Sequence, residues 1–343
     1  MTPSPAASPL AAMVHRLRAH PGLRHKTDIQ RPAAFLEPLP FPVLGPAGAL
    51  GDDAALLPET RGRLLLACEG MDPDLVATDP WFAGWSGVLV NLSDIAAMGG
   101  RPLAVVNSLW SCDAGRAERT LAGMRFAADT FAVPVVGGHT NLHSPYDALS
   151  VAVLGSAIGP VLSARQARPG DPCWLLINLD GAFRGGRPFW DAATGTPGER
   201  LRQHLALLAE LAEQGVAHAA KDISMGGLVG TAVMFAEAAG CGLRLDLDGI
   251  IPPAGTELER WLTCFPSYGF LLAVSEPKTV DLMELTAPYP ELYCQPIGAF
   301  TNADEVELRL GGEGAALWRQ RDGLTGFGPI RQDAATSAAD PHA

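Results

Sequence analysis

No stretch of this chain approaches the roughly 20 consecutive apolar residues that a bilayer-spanning helix needs. The opening MTPSPAASPL lacks both the basic start and the apolar core of a secretory signal. No two of the six cysteines stand at C-x-x-C spacing, so neither a zinc knuckle nor a thioredoxin-like motif is signalled. Free, mostly buried thiols are expected. Basic residues are outnumbered: 25 Lys and Arg against 37 Asp and Glu give a net charge of −12, which argues against a nucleic-acid partner. A P-loop, a strand-following GxGxxG, a GxSxG nucleophile turn and a solenoid repeat are all missing. What remains is a chain 48% hydrophobic and 18% charged, ample for one large domain or two smaller ones. We expect a soluble cytoplasmic protein with neither membrane nor nucleic acid as partner.

Short β-rich runs alternate with helical periodicity along most of the chain. RLLLAC reads as a buried strand and DPWFAGWSGVLVNLSDIAAMGG as a helix. PLAVVNSLW, VPVVGG and ALSVAVLGSAIG read as strands, with the helix RAERTLAGMRFAADTFA between the first two. Pro160, Pro169, Gly170 and Asp171 mark a boundary. Beyond it PCWLLINL is a strand, LRQHLALLAELAEQG a helix, and KDISMGGL opens a second helix running to Ala239. CGLRLDL, YGFLLAVS and EVELRL read as strands, while DGAFRGGRPFWDAATGTPGER is too long for a plain connection. The expected organisation is a flexible segment over 1–24, a domain over 25–160, a second over 168–330, and a frayed tail over 331–343.

The helix over 81–98 poses a question, because it is apolar nearly all round yet carries Asn91 and Asp94. A helix of that kind is buried, and a buried carboxylate needs a cation or several donors. Gly84, Gly87, Asn91, Asp94 and Met98 share one stripe. Two glycines in a helix interior each cost about 1 kcal/mol relative to alanine, so either another backbone or a ligand must approach that stripe. Asp94 points to a bound metal or a basic partner.

Other acids stand in similar places. GDDAALL sets Asp52 and Asp53 before an apolar run, ACEGMD brings Glu69 and Asp72 to a strand end, and KDISMGGL puts Asp222 at a glycine-rich turn opening a helix. In α/β proteins such positions assemble sites. Carboxylates converging from distant segments suit Mg2+, which takes hard oxygen ligands and keeps waters and phosphate oxygens. MGGRP, VVGGHTN and SMGGLVG add glycine turns whose backbone N–H groups can cradle phosphate.

GDDAALL, NLSDIAAMGGRP, GGHTN and KDISMGGL occur in one chain and in that order. Together they resemble the aminoimidazole-ribonucleotide-synthetase superfamily over about residues 25 to 310. Members include thiamine-monophosphate kinase, selenophosphate synthetase, formylglycinamidine synthetase and a hydrogenase-maturation dehydratase. GDDAA and NLSDIAAMGG look most like the thiamine-monophosphate kinase branch, and GGHTN with SPYDALSVAVLG looks more like selenophosphate synthetase. AATGTP, AAKDISMGG and FPSYGF resemble a branch of related proteins. The resemblance implies a PurM-like two-domain α/β fold, also classed as α+β. Its N-terminal mixed sheet would pair into a barrel across a homodimer, beside a C-terminal α/β sandwich domain. It further implies ATP and Mg2+ as cofactors. Asp52 or Asp53, Glu69 and Asp94 would hold the ions, with Asp222 a further metal or phosphate contact. Asn91, Gly137, Gly138, Gly226 and Gly227 would touch the nucleotide.

His139 stands where the thiamine-monophosphate kinase branch has an acid, so it contacts phosphate, acts as a base, or is a hydrogen-bonded structural residue. Glu69 replaces an aspartate, a longer arm that can shift the ion. Lys26 lies in a region from which some members reach the γ-phosphate, and Lys221 beside Asp222 can neutralise phosphate charge. Arg184 and Arg187 are candidates to grip an anionic substrate. The implied activity is transfer of the γ-phosphoryl group to an oxygen of a small-molecule substrate. The outcome would be that of a kinase or of a synthetase that activates an amide or carboxylate. The rivals are a non-catalytic nucleotide-binding subunit and a zinc hydrolase using His139 and His143.

Overall fold

The computed structural model describes residues 62–266, 268–322, 324 and 325. Lys26, Asp52, Asp53, the expected N-terminal segment and the whole of the expected tail lie outside the described residues. The chain divides into two compact units. Of the described residues, one unit holds 68–88 and 104–152, and the other holds 62–67, 89–103 and 153 onward.

A four-stranded sheet is built from β1 (Arg63–Gly70), β2 (Arg101–Trp110), β3 (Val135–Asn141) and β4 (Ala148–Ala157), in the order β1-β4-β2-β3. Strands β2 and β3 run parallel, joined by helix α3. The helices are α1 (Pro73–Thr78), α2 (Pro80–Ala97) and α3 (Ala114–Phe131). Each has an identifiable start. Asp72 accepts from the Asp74 N–H and Pro73 opens α1, so this acid is a helix cap. Asp113 caps α3 by accepting from the Arg116 N–H.

Helix α2 is buried over most of its length, as its composition requires. Its glycines are explained by a neighbouring backbone and not by a ligand. A Cβ at Gly84 would overlap the Thr120 carbonyl oxygen of α3 and lie 2.9 Å from the Met124 nitrogen. Gly123 of α3 returns the relation against the Trp81 carbonyl. The two helices therefore cross at bare backbone, and Trp81, Trp85, Phe126 and Phe131 pack as an aromatic cluster beside the crossing. At Gly87 a Cβ would press on Leu149, Met71 and Val151.

Helix α2 stops in a Schellman arrangement. Gly99, at φ +73°, donates to the Ala96 carbonyl and Gly100 donates to the Ile95 carbonyl. The glycine pair of MGGRP thus caps a helix and spends its N–H groups doing so, which removes it from the expected phosphate-cradling turns. Strand β1 also departs from expectation. The apolar run RLLLAC implies a buried strand, yet most of it is exposed, with Leu64 at 60% and Leu66 at 78%.

The second unit is built on a seven-stranded sheet in the order β14-β13-β9-β12-β5-β11-β8. Its strands are β5 (Pro172–Asn178), β8 (Ala217–Asp222), β9 (Gly242–Asp246), β11 (Gly269–Val274), β12 (Leu292–Thr301), β13 (Glu305–Leu310) and β14 (Glu313–Arg319). Helices α4 (Gly198–Glu213), α5 (Gly227–Ala239), α6 (Leu258–Leu262) and α7 (Thr279–Thr286) complete it. Phe235 of α5 meets Phe300 of β12 edge-on at 4.9 Å within a core that includes Leu175, Ile177 and Leu271. The long connection after β5 has structure of its own: β6 (Ala182–Phe183) and β7 (Phe189–Asp191) form a hairpin that β10 (Phe265–Pro266) extends into a three-stranded sheet.

Candidate active site

The predicted site residues that the structure describes fall at four places in the chain: β1, α2, β3 and the turn between β8 and α5. On α2, Asn91 is fully buried, whereas Asp94 is half-exposed. The premise of a fully buried carboxylate is therefore corrected: Asp94 has one side open to water, and the cost of leaving it charged is correspondingly smaller. Glu69, near the end of β1, is exposed, and its carbonyl accepts from the Ser150 hydroxyl. Among the described residues no three or more His, Cys, Asp and Glu side chains gather closely enough to hold a metal ion.

Gly137, Gly138 and His139 lie inside β3 and not at a turn. They pair with Val106, Asn107 and Ser108 of β2. Gly138 and His139 are exposed. Glycine is required at 138 because a Cβ there would lie 2.6 Å from the Asn107 carbonyl and would overlap the Asn107 side-chain oxygen. Asn107 itself is only 6% exposed. The loop that follows β3 is tied down by Asp147. This buried carboxylate accepts from the Ser111 hydroxyl and from the Cys112 N–H at 3.2 Å, and it pairs with Arg116. Burial alone would raise the Asp147 pKa, but the Ser111 and Cys112 hydrogen bonds and the Arg116 charge outweigh it and hold it below the usual range. His143, exposed, closes an Asx turn in which its N–H donates to Asn141 Oδ1 at 2.8 Å.

KDISMGGL folds as expected: β8 ends at Asp222 and α5 begins at Gly227. Gly227 takes φ +66°, and a Cβ there would come 2.5 Å from the Leu262 carbonyl. Gly226 precedes the helix with no side-chain cap, so the start of α5 has no side chain competing for its N–H groups. Lys221 and Asp222 are both half-exposed at this turn. Enclosure by protein raises the Asp222 carboxyl pKa, and the neighbouring Lys221 ammonium opposes that rise.

Beside this turn lies a buried polar chain that sequence reasoning missed. Asn178 Nδ2 donates to the Tyr268 hydroxyl at 3.1 Å, and Tyr268 contacts His204 Nδ1 at 2.7 Å. His204 Nε2 lies 2.6 Å from Glu291 Oε1. A charged carboxylate only accepts, so Nε2 carries the proton and Nδ1 accepts a hydrogen bond from the Tyr268 hydroxyl. Arg200 grips Glu291 from the other side, with Nη2 at 2.9 Å from Oε2. That hydrogen-bonded guanidinium is the chief reason the Glu291 pKa falls to about 2. Burial pushes the Tyr268 hydroxyl up to about 12 and disfavours protonated His204. The chain joins α4 to the ends of β5 and β11, and Asp222 pairs with Phe270 two residues beyond Tyr268. Tyr268 belongs to FPSYGF, the one sequence signal that pointed here.

Arg184 of the β6–β7 hairpin pairs with Asp191 at 3.3 Å. Arg260 lies over the Phe183 ring at 3.7 Å, a cation–π contact that fixes the small sheet to α6.

Comparison with known proteins places this geometry in a family. Residues 51–161 match the model of the AIR synthase related protein N-terminal domain, and 192–311 match its C-terminal domain. The chain belongs to the AIR synthase-related family. An uncharacterized protein of Synechocystis sp. is 46% identical over 320 residues, covering 93% of this chain and 98% of its own. A thiamine-monophosphate kinase of Methanospirillum hungatei is 28% identical over 277 residues, covering 78% of this chain and 93% of that one. Among solved structures, hydrogenase maturation protein HypE in complex with ATP superposes with a TM-score of 0.65 at 19% identity, covering 87% of this chain and 94% of that one. Thermotoga maritima PurL complexed with ATP gives 0.64 at 17% identity over 90% of this chain. This chain spans 53% of that PurL chain. These likenesses establish the PurM-like fold. No helix among the described residues is long and apolar enough to cross a membrane.

Proposed function

We propose that the chain is an ATP- and Mg2+-dependent enzyme that moves the γ-phosphoryl group of ATP to an oxygen of a small molecule. The observation that carries this reading is the KDISMGGL segment. A strand-end acid beside a lysine opens onto an uncapped helix start whose glycine has no substitute. A helix start of that kind attracts phosphate. HypE and PurL, which share the fold, bind ATP, and a relative of similar length is a kinase.

The donor set suits Mg2+: Asp52 or Asp53, Glu69, Asp94 and Asp222 offer hard carboxylate oxygens. That the described residues hold no ready three-acid cluster is compatible with this ion. Mg2+ is commonly held by one or two carboxylates, with substrate phosphates and water filling its shell. Bound there, it would neutralise charge building on the transferred phosphoryl oxygens. In this reading Asn91, Gly137, Gly138, Gly226 and Gly227 orient the nucleotide. Lys221 draws the phosphates toward the α5 start, Lys26 serves the γ-phosphate, and His139 contacts phosphate or takes the acceptor's proton. The exposed Leu64 and Leu66 of β1 support a homodimer formed through this strand.

Calorimetry of ATP with and without Mg2+, followed by ADP release across candidate acceptors, tests the reading. Asp94→Ala is expected to abolish turnover and leave the circular-dichroism spectrum unchanged. Magnesium-independent binding with no turnover would make the chain a non-catalytic nucleotide-binding subunit, and tight stoichiometric zinc would make it a hydrolase.

A further inference from the structure

We infer that Asn107 is a nucleotide-contacting residue whose side-chain amide donates to a phosphate oxygen held beside Gly138 and His139. This rests on the ATP-dependent reading above and names a residue which that reading did not contain.

Asn107 interrupts the apolar strand β2, where Val105 and Leu109, two residues to either side, are completely buried. A leucine or valine would pack there with no polar cost. The amide is instead built in deliberately. Its register partner is Gly138, and only the missing Cβ at that position leaves room for the amide oxygen. The donor end is left over. Asn107 Nδ2 is buried and has no hydrogen-bond partner among the described residues. Buried amide donors without acceptors are rare in folded proteins and call for a ligand, an ion or a water.

The surroundings favour an anionic oxygen. Gly138 and His139, next to the amide, are exposed. The only carboxylate between Val135 and Asp147 is Asp147 itself. It is already engaged by Ser111, Cys112 and Arg116, so that it does not answer the amide. Trp85 and Trp174 also bury indole N–H groups without partners. Trp85 sits among the rings of Trp81, Phe126 and Phe131, an apolar setting with no exposed glycine strand beside it.

The test uses the full chain labelled with 15N. The Asn107 side-chain amide resonance, assigned by its loss in Asn107→Ala, is followed as MgADP is added, and MgATP binding is measured by calorimetry for wild type and variant. We expect the resonance to shift on saturation and the variant to bind MgATP about 10- to 100-fold more weakly, the range for losing a hydrogen bond to a charged group. Without nucleotide the variant should melt within a few degrees of wild type, because no protein partner is lost. If wild type binds MgATP while the variant binds it equally and the resonance stays fixed, the amide serves a trapped water and the inference fails alone. If wild type binds no MgATP, the inference falls together with the ATP-dependent reading. Should the variant not fold, the wild-type resonance, assigned through Asn107→Ser, decides the matter.

Discussion

Replacing Glu291 by glutamine isolates the charge at the end of the buried Asn178–Tyr268–His204 chain while keeping its shape. The wild-type carboxyl titrates near 2 and not at 4.5, chiefly because Arg200 hydrogen-bonds to the charged form. That difference corresponds to roughly 3 kcal/mol of preference for the carboxylate in the folded state. Arg200 is 31% exposed and Glu291 18%, so water screens part of it, and about 1–2 kcal/mol is the expected contribution. The sign follows from a depressed acid. The stabilisation is complete above about pH 4.5 and fades as pH falls toward 2, where the folded protein also takes up the proton. Thermal unfolding of wild type and Glu291→Gln between pH 7 and pH 3 measures it. At pH 7 the variant should melt several degrees lower. The gap should narrow below pH 4.5, because the unfolded wild-type chain takes up a proton there that the folded carboxylate still refuses. A gap that is absent at pH 7, or that stays constant down to pH 3, would refute the reasoning.

Further outcomes follow from other contacts. Gly84→Ala drives a Cβ into the Thr120 carbonyl of α3, backbone against backbone, and should cost about 3 kcal/mol or more, read as a lowered melting temperature or loss of soluble protein. Asp147→Ala strips the partner from Arg116 and the acceptor from Ser111 and Cys112, with an expected loss of about 3 kcal/mol in urea unfolding. Gly227→Ala meets both a positive φ and the Leu262 carbonyl, so it should impair MgATP binding and stability together, measured by calorimetry and melting. Burial pushes the thiols of Cys173, Cys264 and Cys294 up to about 12. These three should resist an aromatic disulfide reagent until the chain unfolds, whereas exposed Cys112 should react in the native protein.

Helix α2 was legible because Pro80 opens it, glycines close it, and its apolar positions run all round. The end of α5 at Ala239 was legible because Gly240 follows in the left-handed conformation. Strand β12 escaped notice because Pro296 interrupts it. The strand tolerates that proline through a register shift between Pro296 and Gly298. The connection after β5 is too long for a plain loop, but its strands are not legible in the sequence, because β6 and β7 are two and three residues long and are stabilised by β10, some 75 residues away in the chain.

For the candidate site, the sequence by itself determined the family and the residue types: hard-oxygen acids at element ends, glycines at 137, 138, 226 and 227, and a lysine beside Asp222. Such patterns are local, and local spacing is what a linear string displays. Only the tertiary structure decided what each glycine is for. Gly84 answers a helix backbone, Gly99 caps a helix, Gly138 yields to Asn107, and Gly227 yields to Leu262. It alone decided that Asp94 is half-exposed, and that Tyr268, His204 and Glu291 meet across 64 and 87 residues. The reason is physical: exposure and hydrogen-bond partnership are set by packing between segments distant in the chain, and no periodicity along the chain encodes them.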